Sequence, residues 1–179
     1  MPVTYSAFWL GAARLLDTVG GTRYFVVPGI YAPPPLPEAC AKLEPPRVRR
    51  IYAKALQFAP HGPVVTLEPY SSHETGGIAF TASEIQAGTA SEPALGRSGS
   101  TTTAFYGLVP DGVASVTVTA GGAPARTVPV ANNFFLTQIP APHVNQPEII
   151  TQQWYAVDGT LIKTVSGTTV LHEATTSLT

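Results

Sequence analysis

Turn-forming residues punctuate this chain so densely that no long helix can run through it. Sixteen glycines and eighteen prolines are spread over 179 residues. Proline fixes φ and removes a backbone donor, while glycine weakens element interiors and favours tight turns. The pattern predicts short elements joined by many reversals. The length suits one ordinary domain or two small ones, and a domain of about 150 residues can bury roughly two-thirds of its unfolded surface.

Between the punctuation marks, the first half alternates helix-like and strand-like runs. Residues 6–17 place Phe8, Ala12, Leu15 and Leu16 near one face, which predicts a short helix ended by Gly20-Gly21. Thr22 to Val27 reads as a strand closed by Pro28-Gly29. Residues 31–37 form a proline-rich hinge, a stiff connector whose PxxP pattern could also fill a partner's groove. Residues 46–58 predict a helix with Val48, Ile51, Tyr52, Ala55 and Leu56 on its apolar face. A strand starts at Val64, and Thr81 with Glu84 forms a capping box ahead of one or two helical turns.

The second half reads as antiparallel sheet. Pro110-Asp111-Gly112 is a turn in which proline fixes φ, aspartate bonds locally and glycine takes positive φ. Residues 113–119 alternate, with Val116 and Val118 on one face. Gly121-Gly122 and Asn132-Asn133 reverse the chain again, and Pro129 demands an edge or a bulge. Asp158-Gly159 joins residues 149–157 to 160–165 by a turn of type I′ chemistry, pairing Trp154 with Lys163 and Tyr155 with Ile162. The expected fold is α+β, with short helices in the N-terminal half and an antiparallel, sandwich-like β-sheet in the C-terminal half. The expected division is a mixed segment over 1–100, a β module over 101–166 and a loose tail over 167–179, or one domain overall.

Charge excludes some partners. Charged residues make up only 12% of the chain and the net charge is −1, so no field draws in nucleic acid. Arg47, Arg49, Arg50 and Lys54 read as a solvated helix face. No apolar run reaches the roughly 18 residues of a transmembrane helix. The start of the chain carries no signal-peptide pattern, because Met1 to Ser6 has no basic residue and Arg14 breaks the apolar run. A cytoplasmic protein, or an export signal upstream of Met1, would fit that reading.

Chemistry-bearing residues do not fall into a catalytic motif. His61, His73, His143 and His172 lack the spacing of a helical zinc site, and no phosphate loop or GxGxxG is present, so no metal or cofactor is expected. Ser71-Ser72-His73-Glu74 holds the residue types of a triad, but contiguous side chains cannot align as one. Gly96-Arg97-Ser98-Gly99 only loosely approaches a nucleophile elbow. Ser98, His73 and Glu74 are therefore the candidates for a hydrolase. The lone Cys40 cannot form an internal disulfide and reads as a small packed residue. Trp9, Phe134, Phe135, Trp154 and Tyr155 read first as core packing, because large aromatics dominate small β cores; they could instead stack on a sugar or a peptide, with Trp154 and Tyr155 the candidates for ligand contact.

The run GLVPDGVASVTVT, followed by TVPVANNFFLTQIP and then WYAVDGTLIKTV, resembles a β module of uncharacterised actinobacterial exported or envelope proteins. RYFVVPG and PEACAKLEPP are similar to the earlier part of the same proteins, so the likeness spans roughly residues 20–166. The resemblance implies an exported or envelope location and no assigned activity. Those proteins often carry a signal peptide and paired cysteines, and this chain departs on both. Taken together, the residues point to a non-catalytic exported or envelope-associated binding or structural protein with a protein or glycan partner. The alternatives are a hydrolase and a subunit of a larger extracellular assembly.

Overall fold

A computed structural model of the protein describes residues 7–31, 45–47, 49–50, 62–70, 77–93, 102–140 and 147–170. Strands take up 64% of these residues and helical turns 11%, so the fold is mostly β and the α+β expectation is overturned. The error sits in the first helix. Residues read as helical over 6–17 form β1 (Ala7–Phe8), one 3-10 turn (Leu10–Ala12) and β2 (Arg14–Val19). Leu16 is buried while its neighbour Leu15 is exposed, the alternation of a strand. Gly20 and Gly21 adopt φ of +59° and +83° and join β2 to β3 (Thr22–Tyr31), with Val19 opposite Thr22. Two left-handed residues between paired strands make a hairpin turn, and pairing with β3 overrides a weak helical pattern.

The other helices fare differently. Pro46, Arg47, Arg49 and Arg50 are helical, and the Arg49 N–H donates to the Pro45 carbonyl at 3.1 Å. The rest of the helix expected over 46–58 lies outside the described residues, as does the hinge beyond Tyr31. The capped turn is present as α1 (Ala82–Ala87).

The chain divides into two compact units, Met1–Ala82 and Ser83–Thr179. The first is one antiparallel sheet in the order β1-β3-β4-β5, with β4 at Gly62–Tyr70, β5 at Ile78–Phe80, and β2 also paired to β3. Register places Tyr24, Leu67 and Phe80 on one face, all buried. The other face carries Val27, Val64, Thr66 and Glu68.

The second unit is a sandwich. Its three-stranded sheet runs β10-β7-β6 (Phe134–Pro140, Thr102–Leu108, Ser91–Pro93). Its four-stranded sheet runs β12-β11-β8-β9 (Leu161–Val170, Pro147–Tyr155, Ser115–Ala120, Arg126–Pro129). Phe105, Phe135 and Ile139 from the first sheet meet Val116, Val118, Ile150 and Trp154 from the second in one core. The chain changes sheets after β7, β9 and β10, so the two sheets are built from interleaved stretches of sequence. The predicted pairing of Val116 and Val118 on one buried face holds. Pro129 sits in β9, the edge of its sheet, where a missing N–H costs nothing.

Turn chemistry is partly redistributed. Gly112 takes φ of +91° in the crossover from β7 to β8. Asn132 and Asn133, at φ of +54° and +62°, form the type I′-like reversal, with reciprocal bonds between Ala131 and Phe134. The 158–159 turn is of another kind. Gly159 alone is left-handed, at +83°; Asp158 is not. The Gly159 N–H donates to the Ala156 carbonyl at 3.0 Å, and the Ala156 N–H to the Thr160 carbonyl at 2.9 Å. This is a type I turn with a glycine bulge. Trp154 faces Lys163 as expected, but the bulge sets Tyr155 opposite Leu161 rather than Ile162.

Candidate functional site

Ser98, His73 and Glu74 lie outside the described residues, as do Cys40, His61, His143 and His172. Trp154 is enclosed in the sandwich core at 1% exposure, with the Lys163 ammonium 5.6 Å over its ring. Its indole N–H points to Gln152 Oε1 at 3.5 Å. Phe134 and Phe135 are buried too, while Trp9 is exposed. Among the described residues no group of three or more His, Cys, Asp or Glu gathers as a metal site would need. No helix among them is long and apolar enough to cross a membrane.

The turn residues act structurally. Asn133 Nδ2 donates to Asp111 Oδ1 at 2.8 Å, tying the Pro110-Asp111-Gly112 turn to the Asn132-Asn133 turn. The Thr160 N–H donates to Asp158 Oδ1 at 2.9 Å, and this bond holds the Asp158 carboxyl below its usual range.

Tyr155 belongs to a different surface. Trp154, Gln152 and Ile150 point inward from β11, so Tyr155, Gln153, Thr151 and Ile149 point outward. Register continues that outer face across the sheet. Ser115, Thr117 and Thr119 on β8 lie opposite Tyr155, Gln153 and Thr151, with Thr127 and Pro129 beyond them on β9. Thr164, Ser166 and Thr168 on β12 complete it. None of these side chains is charged. Several are fixed by their own bonds: Thr117 to Thr127 at 2.7 Å, Thr151 to Ser166 at 2.9 Å, and the Tyr155 hydroxyl to Gln153 Oε1 at 3.2 Å. The result is an uncharged sheet face of oriented hydroxyl and amide groups with one aromatic ring. Sequence reasoning singled out Tyr155 but missed the face, whose signal was Ser115, Thr117 and Thr119 at alternate positions.

Beside the inner end of β12 lies a shallow cavity of about 230 Å³, lined by Ser91, Phe105, Gln152 and Val165 among others. Gln152 is buried and its Nε2 donates to Ser91 Oγ at 2.7 Å, linking the two sheets. The next residue, Glu92, is more than half buried. Burial pushes its carboxyl up from the ordinary 4.5 to about 7, although a 3.1 Å bond from the Tyr106 hydroxyl favours the charged form. A carboxyl raised in the folded state binds more protons there than in the unfolded chain. Stability is therefore full below about pH 4.5 and falls as pH rises to about 7. We expect melts between pH 4.5 and 8 to lose about 1 kcal/mol, allowing for the solvent that still reaches Glu92. Glu92→Gln should flatten that slope; an unchanged slope would remove Glu92 as its cause.

The first unit holds a larger cavity, about 440 Å³, on the face of the sheet that carries Thr66 and Glu68. Phe8, Tyr31 and Ala79 turn to the same face and contribute apolar lining. Thr66 is 4% exposed, and its hydroxyl has no hydrogen-bond partner among the described residues. A buried, unsatisfied hydroxyl costs about 1–3 kcal/mol. Thr66→Val should accordingly raise stability by about 1 kcal/mol, read as a higher denaturant midpoint at unchanged slope. A destabilised variant would mean that the hydroxyl has a partner after all.

Comparison of the chain with known protein families, with curated proteins and with solved structures finds no match.

Proposed function

We propose that the protein is a non-catalytic, exported or envelope-associated binding protein that holds a neutral glycan on the outer face of its four-stranded sheet. The observation that supports this most is the uncharged array of Thr, Ser, Gln and Tyr side chains on β8, β9, β11 and β12. A hydroxyl both donates and accepts, so such an array matches the hydroxyls of a sugar in either sense. Tyr155 adds a ring that can lie against the apolar face of a pyranose, and its bond to Gln153 orders it beforehand. A charged partner would lose hydration here without gaining an opposite charge. The low charge of the whole chain, and its resemblance to actinobacterial envelope proteins, support the location.

Co-sedimentation with insoluble neutral polysaccharides tests the binding. The protein should pellet with at least one neutral polysaccharide and stay in solution with a polyanionic one. Gln153→Lys and Tyr155→Ala, both at half-buried positions, should release it while keeping the wild-type circular dichroism spectrum. Retention by both variants, or no pelleting across neutral polysaccharides, would reject the reading. Fractionation of the source cells, with mass spectrometry of the native N-terminus, tests the location.

A further inference from the structure

The cavity of the first unit contains two polar groups that the described residues leave unclaimed. Thr66 and Glu68 are two residues apart on β4, so strand alternation places both on the same face. The Thr66 hydroxyl is buried without a partner, and Glu68 has no ion-pair partner among the described residues. Both line the 440 Å³ cavity, a volume within the range of small-molecule sites. Gly77 makes room for the carboxylate: a Cβ there would stand 2.6 Å from Glu68 Oε1. Partial burial also raises the Glu68 carboxyl above its ordinary range, a displacement that a bound cation would reverse.

The remaining lining decides the ligand class. Phe8 and Tyr31 offer aromatic rings and Ala79 a methyl group on the same face, so the cavity wants an apolar body. One carboxylate and one hydroxyl are too few oxygen donors for a metal ion such as calcium, which takes six to eight. They suit an ammonium group, which has three donors and no acceptor and is attracted to aromatic faces. The geometry points to a binding site for a small primary-ammonium amphiphile. Its ammonium donates to Glu68 and to Thr66 Oγ1, and its hydrocarbon lies against Phe8 and Tyr31. This site is separate from the glycan-binding face and does not depend on it.

Calorimetric titration of the full chain with n-hexylammonium chloride provides the test, with 1-hexanol and sodium hexanoate as matched probes. Hexylammonium should bind saturably, at least tenfold more tightly than hexanol, and hexanoate should give no binding. Glu68→Gln, nearly isosteric, should weaken hexylammonium at least tenfold and leave hexanol unchanged. Thr66→Val should weaken it severalfold while the protein stays folded. Equal affinity for hexylammonium and hexanol overturns the proposal without reference to any variant. Absence of saturable hexylammonium binding, or an unchanged affinity in folded Glu68→Gln, overturns it equally.

Discussion

Replacing Trp154 with alanine is expected to destabilise the sandwich by about 3–5 kcal/mol, the cost of removing a large buried aromatic and leaving a cavity. Trp154 is the largest of the fully buried side chains, and the core around it draws on both sheets. The loss goes beyond volume. The Lys163 ammonium sits over the indole and is held there by donation to the Gln86 carbonyl at 2.8 Å. Alanine would release that cation–π contact together with the packing of Val165. Denaturant melts should show a lower midpoint at unchanged slope. A loss under about 1 kcal/mol would mean that the neighbours collapse into the space, and that Trp154 does not organise this core.

Gly88→Ala should come close to that effect, at about 2–4 kcal/mol, for the opposite reason. Gly88 follows α1 at φ of +86°, so any side chain there is strained by about 1 kcal/mol or more. The added Cβ would also stand 2.5 Å from Val165 Cγ2 and 2.9 Å from Trp154 Cζ2, and overpacking of this kind typically costs 1–3 kcal/mol. Gly159→Ala serves as the control. It has a similar φ of +83° but nothing within 4 Å of the new Cβ, so only the backbone part of the penalty should appear. Equal losses at the two sites would show that the contact with Trp154 and Val165 is easily relieved.

The second unit was more legible than the first because its signals were short-range and unambiguous. Proline cannot donate to a ladder, and Pro129 accordingly marks an edge strand. Val116 and Val118 alternate with threonines, and that alternation has only one reading. Gly20-Gly21 was ambiguous, because two glycines can end a helix or close a hairpin. The choice falls to pairing with β3, which begins only after the turn. Asp158-Gly159 carried the right residues for a type I′ turn, but dipeptide chemistry did not fix which of the two would be left-handed. The candidate sites were harder still. The outer sheet face needs the register of four strands before its lack of charge appears. Thr66 and Glu68 looked like ordinary strand residues, since nothing local indicates a buried hydroxyl without a partner. Tyr155 could be named from composition, but its separation from Trp154 onto opposite faces depended on knowing which face was inside.

The two long-sheet edges of the sandwich are guarded unequally. At one end, β9 carries Pro129 and the exposed Arg126, which block an incoming backbone. At the other, β12 runs for ten residues without a proline, and its single charge, Lys163, is turned inward to Gln86. Recruitment of a further strand onto this sheet is thus confined to one flank. Were two copies to join there through a two-fold axis, each would use up the receptive edge of this sheet, and the joined sheet would close as a pair instead of adding strand after strand.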